Sequence, residues 1–588
     1  MRVNSPHPMQ HVDPIDAVSA LVRTAVTLAL GNEYAETDPQ VRRSDRADLQ
    51  ADLAMRLARV AKRPPKTIAD AIVAAIPAND VIARIEVASP GFLNISLRTD
   101  WLATAAAAAA ADDRLGVPLA EAPERVVIDY SHPNVAKEMH VGHLRSTVIG
   151  DALARLLVWR GHTVIRQNHI GDWGTPFGML IEHLVDLGEA QAEAELGIGE
   201  LAVFYKAAAK KFNEDESFAE RSRQRVVALQ AGDEQTLKQW RLLVDLSTRY
   251  FEAVYEKLGV MLEHGDIAGE SFYNERLAPL AAELEALGYA RISDGALCAF
   301  PAGFVNREGA PLGLIVRKSD GGFGYGVTDL AAIRYRLEEL RATRILYVVG
   351  SPQAHHLSMI FKVATELAWL RPPARAEHIS FGSVLGTDKR MFKSRSGDTV
   401  RLVDVIDEAI DRAGVIAREK AKEAKELDEA TLEEIARIVG VGAIKYADLS
   451  SDRVKDYVFD LERMVSFDGN TAGYCQYAYA RAQSVLRKSD GVPAGATIAI
   501  AEPAEHELVL ELLGFGAIVR DVERTLEPHR LVNYVYTLAQ AFTSFYDACP
   551  ILKAEPAIRD ARLALTRLTA RTLSCGLGLL GISVPERM

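Results

Sequence analysis

Apolar residues recur along this chain with several different periods, and the changes of period divide it. Near the start, Asp13-Pro14 places a capping side chain before a proline, and Ile15, Val18, Val22, Val26 and Leu30 follow at roughly helical spacing. That predicts a helix. Residues 82–87 and 92–97 then alternate apolar and polar positions around Ser89-Pro90-Gly91, the pattern of a hairpin. An alanine-rich helical stretch, 101–112, leads to a boundary at Gly116-Val117-Pro118. From Arg125 the pattern changes. Val126, Val127 and Ile128 form the continuous apolar run of a buried parallel strand, and after the turn-rich link Ser131-His132-Pro133-Asn134 the positions Val141, Leu144 and Val148 recur at helical spacing. Residues 163–170 read as a second strand, closed by Gly171-Asp172-Trp173-Gly174.

Strand and helix in alternation predict a doubly wound parallel sheet of the Rossmann-like kind, with ligands at the carboxyl edge of its strands. Residues 188–298 turn helical and highly charged, and read as an insertion between the halves of that sheet. The sheet is expected to resume with 313–317, 319–329, 344–349 and 378–384, ending in a basic loop at 386–397. After Leu402 strands mostly disappear: 406–439 is helical with mixed charge, and the chain from Gly440 onward reads as a helical bundle with amphipathic stretches at 519–526 and 563–573. The expected fold is therefore multidomain α/β plus all-α. Its parts are an N-terminal α+β domain (1–112), a Rossmann-like domain (118–398, with an insertion about 188–300), a helical connector (399–465) and a helical C-terminal domain (466–588).

Composition adds boundaries to this picture. The 588 residues suffice for several cores, and 48% hydrophobic with 25% charged residues is ordinary globular composition. The net charge of -12 offers no chain-wide nucleic-acid footprint, so a nucleic-acid partner requires a local basic face. Four scattered cysteines form no CxxC pair, which points to a reducing, cytoplasmic setting without structural zinc. The start lacks the apolar core of a secretion signal, and the alanine run at 105–111 is too short to span a bilayer, so no membrane role is expected.

Candidate chemistry gathers at the expected strand ends. His140 and His143 share one face of a helix mouth, where free backbone N–H groups and the helix dipole favour an anion. Gly142 between them leaves room for a ligand close to the backbone. Such donors suit phosphoryl or nucleotidyl transfer, in which charge grows on phosphate oxygens; an HxxH pair is also compatible with a zinc half-site. Asp129 ends the first strand, Asn134 follows it, and Tyr325 and Asp329 stand four apart. Together they suit a guanidinium, with Asp129 as a turn cap and Asp329 as a helix cap as the alternative. The tyrosine stripe Tyr474, Tyr477 and Tyr479, interleaved with Arg481, is either helix core or a stacking surface for bases. A GxGxxG following a strand and a GxxxxGK[ST] loop are both missing, which disfavours the nucleotide folds that depend on them.

These strings carry a resemblance. His140-Val141-Gly142-His143, within SHPNVAKEMHVGHLRST, resembles the His-x-Gly-His signature of class I aminoacyl-tRNA synthetases, and the longer string is similar to the arginyl-tRNA synthetases in particular. SDGGFGYGVTD, GNTAGYCQYAYAR and the terminal PERM are similar to the same family, so the resemblance runs from Asn94 to Met588. It implies an arginine–tRNA ligase that joins arginine to ATP with Mg2+ assistance and transfers it to the 3' adenosine of arginine tRNA. Its partners would be tRNA, L-arginine and ATP, without a membrane or a structural metal, and the chain would act as a monomer.

By residue, the resemblance places arginine on Asp129, Asn134, Tyr325, Asp329 and Gln353, with Asn94 a weaker match. It places ATP on His140, Gly142, His143, His356 and Lys393, and tRNA on Tyr474, Tyr477 and Met588. The chain departs from the family pattern at the second signature, which reads Lys389-Arg390-Met391-Phe392-Lys393-Ser394-Arg395 where the family has Lys-Met-Ser-Lys-Ser. Lys393 takes the phosphate role, Arg390 and Arg395 share it, and Lys137 is the candidate substitute for a missing lysine. The competing readings are a nucleotidyl transferase of the same superfamily with another acid substrate, and a non-catalytic RNA- or zinc-binding relative.

Overall fold

The computed structural model describes residues 13–188, 201–390, 392, 400–424, 427–489 and 491–588. The chain divides into two compact units: one of residues 120–465 with Leu579–Ile582, the other of residues through Leu119, Ser466–Gly578 and Ser583–Met588.

The first unit is built on a four-stranded parallel sheet. Its strands are β1 (Arg125–Asp129), β2 (Thr163–Gln167), β3 (Arg344–Tyr347) and β4 (Arg375–His378), in the spatial order β4-β3-β1-β2. From β1 the chain passes through helix α1 (Val141–Trp159) to β2 on one side, and later enters β3 on the other. The order therefore reverses between β1 and β3, and in open sheets the crevice beyond the carboxyl ends of such strands is where ligands bind. Val127 and Ile345 pack without exposure against Leu330 and Ile333 of α2 (Tyr325–Glu338) and Ile360 of α3 (Ala354–Glu366). Helix α1 buries 14 of its 19 residues, including Arg145 and Asp151. It is a central helix, braced by α4 (Leu402–Ala424) and α5 (Glu429–Ser450).

Three expectations change here. Leu314–Arg317 joins Ala290–Ser293 and Ala296–Ala299 in a separate antiparallel sheet rather than extending the parallel one. The cause is a two-residue Asp294-Gly295 turn with positive φ at both residues, a hairpin signal inside the segment read as helical. Residues 319–329 are a loop and the start of α2, since the helix begins at Tyr325. The strand expected at 378–384 lies earlier, at Arg375–His378, while Val384–Leu385 pairs with Tyr457–Val458.

The other unit contains an antiparallel sheet in the order Val41–Ser44, Ala47–Ala51, Phe92–Leu97, Ile82–Ala88, together with the helical bundle. The expected hairpin and first helix are both present, and Asp13 caps that helix by accepting from the Ile15 N–H at 2.8 Å. Polar pairs join the N-terminal residues to the bundle: Asp48 with His506 at 2.9 Å, and Arg43 with Glu507 at 2.6 Å. No helix among the described residues is long and apolar enough to cross a membrane.

Candidate active site

At the mouth of α1, His140 is the N-cap. Its Nδ1 accepts the Gly142 N–H at 3.0 Å, and Nδ1 of His143 accepts the His140 N–H at 3.1 Å. A ring nitrogen that accepts an N–H carries no proton. Burial first, then the neighbouring Lys137, lowers the pKa of His140, and burial with the nearby His140 and His132 takes that of His143 down to about 3. Both imidazoles are therefore neutral near pH 7, with their hydrogens on Nε2. The rings lie 4.0 Å apart, so the mouth offers two adjacent uncharged N–H donors.

The backbone at this mouth differs from expectation. The Val141 N–H is taken by the Val400 carbonyl, the Gly142 N–H by the His140 ring and the His143 N–H by the His140 carbonyl. All three N–H groups are taken within the protein, which leaves the imidazole Nε2–H groups as the donors this mouth offers. The role of Gly142 changes too: a Cβ there would stand 2.6 Å from Cε1 of His140, so the missing side chain makes space for the ring that caps the helix.

The link between β1 and α1 is strained and held. Ser131, His132 and Ala136 all have positive φ, which non-glycine residues adopt only when their surroundings enforce it. Here the Ser131 N–H bonds Ser146 Oγ, the Ser131 hydroxyl meets Tyr255 OH at 2.7 Å, and the Ala136 N–H bonds Ser247 Oγ. Tyr255 also accepts from Asn168. Tyr255 and Ser247 belong to Glu234–Leu258, so the helical insertion supports the loop that carries the site.

Around the crevice, Asp329 Oδ2 lies 2.6 Å from His356 Nε2, and the Tyr325 ring packs edge-on against His356 at 4.9 Å. Those three come together, with Tyr325 widely exposed. Asn134 stands exposed beside Gly171, and Gln353 is exposed at the start of α3. Asp129 is engaged within the protein. Its Oδ2 accepts from Arg336 at 2.6 Å, and His132 Nε2 stands 2.9 Å from Oδ1. Burial alone would raise this carboxyl, but the positive Arg336, with His132, holds it well below the usual range. Arg336 also donates to Gln167 and lies over the Tyr347 ring. Lys137 rests over the Tyr205 ring at 4.6 Å. Lys393 and Arg395 lie outside the described residues.

Two partners were missed from sequence. Arg336 follows Asp329 by seven positions, two turns along one helix face, and that spacing carried the signal. Glu270 sits in the short helical turn Glu270–Tyr273, close enough to Asp172 and Asp329 to feel their charge. Burial and those two carboxylates raise it to about 7. No periodicity marks it.

In the other unit, the Asn94 amide oxygen accepts from Gln50 at 2.8 Å. Tyr474 packs on Tyr536, while the Arg481 guanidinium lies over the partly exposed rings of Tyr477 and Tyr546. The stripe is thus divided: Tyr479 is core, and Tyr477 is partly exposed beneath Arg481. The chain end that carries Met588 is tied to this helix, Ala472–Lys488, by Gln476 to the Ser583 carbonyl and by Arg487 to the Glu586 carbonyl.

Comparison with known proteins covers the whole chain. Residues 106–461 match the model for tRNA synthetases class I (R), catalytic domain; 475–588 match the DALR anticodon binding domain; 16–97 match the arginyl tRNA synthetase N terminal domain. The arginine–tRNA ligase of Thermobifida fusca is 52% identical over 579 residues, covering 98% of this chain and 100% of its own. That of Frankia casuarinae is 50% identical, covering 98% of each. The solved arginyl-tRNA synthetase of Plasmodium falciparum superposes with a TM-score of 0.83 at 27% identity, over 98% of this chain and 99% of its own.

Proposed function

The chain belongs to the arginyl-tRNA synthetase family, and from that premise we propose that it is an arginine–tRNA ligase whose chemistry is performed at the crevice between β1 and β3. The arginine carboxylate attacks the α-phosphorus of ATP, taken as its magnesium complex, and pyrophosphate leaves. The ribose hydroxyl of the 3' adenosine of arginine tRNA then displaces AMP from the carbonyl carbon.

The division of roles follows the geometry. Tyr325 offers a ring face and Asp329 a carboxylate to the guanidinium; His356, matched to ATP by the family pattern, instead orients Asp329, to which it is bonded; and Asn134 with Gln353 meets the amino end. Asp129 acts from beneath, through its pair with Arg336. On the other side, Nε2–H of His140 and His143 meets the charge that grows on the α-phosphoryl oxygens, and Lys393 with Lys137 neutralises the β- and γ-phosphates. Orientation and electrostatics supply the rate, without a covalent nucleophile. Residues 1–112 and 466–588, with Tyr474, Tyr477 and Met588, serve the tRNA, while 118–398 serve the chemistry.

The observation that carries this reading is the pairing, at one sheet edge, of an Asp329–His356–Tyr325 cluster with two neutral imidazole donors. A panel of amino acids and tRNAs scored for charging tests it, and only arginine with arginine tRNA should be charged. Robust charging with lysine or cysteine, or none with arginine, overturns it. Asp329→Ala should raise KM for arginine far more than KM for ATP, and Lys393→Ala the reverse.

A further inference from the structure

Arg145 lies on α1 one residue after Leu144, where the mechanism above gives it no part, yet with Arg336 it is one of the two bulkiest fully buried side chains among the described residues, at 1% exposure. Its Nη1 donates to two carbonyls from different stretches of chain, Gly382 and Lys455, at 2.8 Å each. Its Nε stands 3.2 Å from Asp448 of α5, and its guanidinium lies against the rings of Phe381 and Tyr457 at 5.8 and 5.1 Å. A planar fork can hold several acceptors at fixed angles, as a lysine cannot.

The two stretches that Arg145 holds form the root of the basic loop. Gly382 N–H bonds the Arg453 carbonyl, Arg453 bonds the Ser380 carbonyl, Ser383 N–H bonds Asp456, and Val384–Leu385 pairs with Tyr457–Val458. The turn from Gly386 to Arg390 closes where the Phe392 N–H returns to the Val384 carbonyl, with the Phe392 ring against Phe459. Beyond it, Val400 accepts from Val141 at the helix mouth. Gly382 approaches its neighbour so closely that a Cβ would stand 2.6 Å from the Lys455 carbonyl group. The helix that carries the two imidazoles and the root of the loop that carries the phosphate lysines are thus fastened to each other by one buried guanidinium.

We propose that Arg145 is a positioning residue for nucleotidyl transfer, fixing the root of the basic loop, residues 382–385 with 455–458, relative to the helix that carries His140 and His143. The proposal rests on the phosphate role given to that loop above. Fixing two groups of donors on one transition state is worth orders of magnitude in rate, and a displacement of about 1 Å costs about a hundredfold.

The test is ATP–pyrophosphate exchange with the full chain. Arg145→Lys keeps a positive charge beside Asp448 but loses the fork. Gly382→Ala displaces the same root with Arg145 intact, and guards against a fold failure in the first variant. Both should lower kcat or raise KM for ATP at least tenfold while KM for arginine stays within twofold. A parallel loss in both substrates, or wild-type exchange in both variants, overturns the proposal. Lys393→Ala separates the two levels: if it leaves ATP use unchanged, the phosphate role of the loop has failed; if it impairs ATP use while Arg145→Lys and Gly382→Ala do not, the positioning role has failed.

Discussion

Replacing Asp129 by asparagine distinguishes a residue that holds the protein from one that holds the substrate. The carboxylate is 2.6 Å from Arg336, with side-chain exposures of 5% and 0%, so the substitution leaves a guanidinium in the interior without its countercharge. Two unit charges about 4 Å apart at an effective dielectric near 20 interact by about 4 kcal/mol. Removing one partner of a buried pair costs about 3–5 kcal/mol. Both routes predict a loss of about 4 kcal/mol in the unit that contains the sheet, against the 5–15 kcal/mol typical of a whole domain. Because two units need not unfold together, the assay is hydrogen exchange of β1 and β3 amides alongside urea unfolding, on Asp129→Asn, Arg336→Met and the double variant. The double variant should recover much of the loss, since it leaves no lone charge. The sign with pH is fixed as well: a carboxyl held low in the folded state contributes fully above its ordinary pKa near 4 and loses that contribution only as pH falls further. A single variant within about 1 kcal/mol of the parent, with KM for arginine sharply raised, would refute this reasoning and make Asp129 a substrate ligand first.

Three other outcomes follow from the same geometry. Gly142→Ala brings a methyl group onto the His140 ring, so kcat for pyrophosphate exchange should fall about a hundredfold, the order expected for a displaced transition-state donor, with only about 1 kcal/mol of stability lost with the cap; a fall under threefold refutes it. Because His143 titrates near 3 rather than 6.5, it stays neutral from pH 5.5 to 8, so the kcat of His140→Ala should show no ionisation in that range; an acid limb near 6.5 counts against the neutral donor. The same shift removes stability as pH falls from 6.5 towards 3, since there the unfolded chain takes up a proton that the folded one does not. Glu270, raised to about 7, should ionise when a guanidinium arrives, so KM for arginine should rise as pH drops below 7 and arginine binding should release protons in calorimetry; Glu270→Gln should abolish both.

The parts legible in sequence were those set by local chemistry. The apolar run before Asp129, the cap at Asp13 and the alternation at 82–97 each specify their own element, and each stands where its pattern put it. What failed was pairing. Leu314–Arg317 reads as a strand and is one, but nothing in its residues says which sheet it joins; that was decided by the Asp294-Gly295 turn some twenty residues earlier. Among the candidate site residues, the partners of the polar groups were not visible in sequence. Asp129 and Arg336 are 207 positions apart, and neither residue alone shows that the other neutralises it. The helix mouth was misjudged for a related reason, since the carbonyl that occupies its first N–H comes from Val400.

The electrostatics of this crevice suit the proposed reaction, whose own charges pose a difficulty. The attacking carboxylate and the phosphate it attacks are both negative, and the pocket for a guanidinium needs further negative charge close by. Asp129, Asp172, Glu270 and Asp329 all ionised and unpaired would repel ATP before arginine arrived. The fold withholds that charge. Asp129 is cancelled by Arg336, and Asp172 and Glu270 are pushed towards their protonated forms by burial. Negative potential then appears in proportion to the cation that needs it. The donors on the phosphate side are uncharged for a matching reason: neutral Nε2–H groups stabilise charge as it grows on the α-phosphoryl oxygens without placing a fixed cation beside the guanidinium pocket. A cation fixed at position 140 or 143 should therefore be worse than a neutral donor. His143→Lys should lose more exchange activity than His143→Gln, and the opposite order would show that charge, rather than a directed hydrogen bond, is what the mouth supplies.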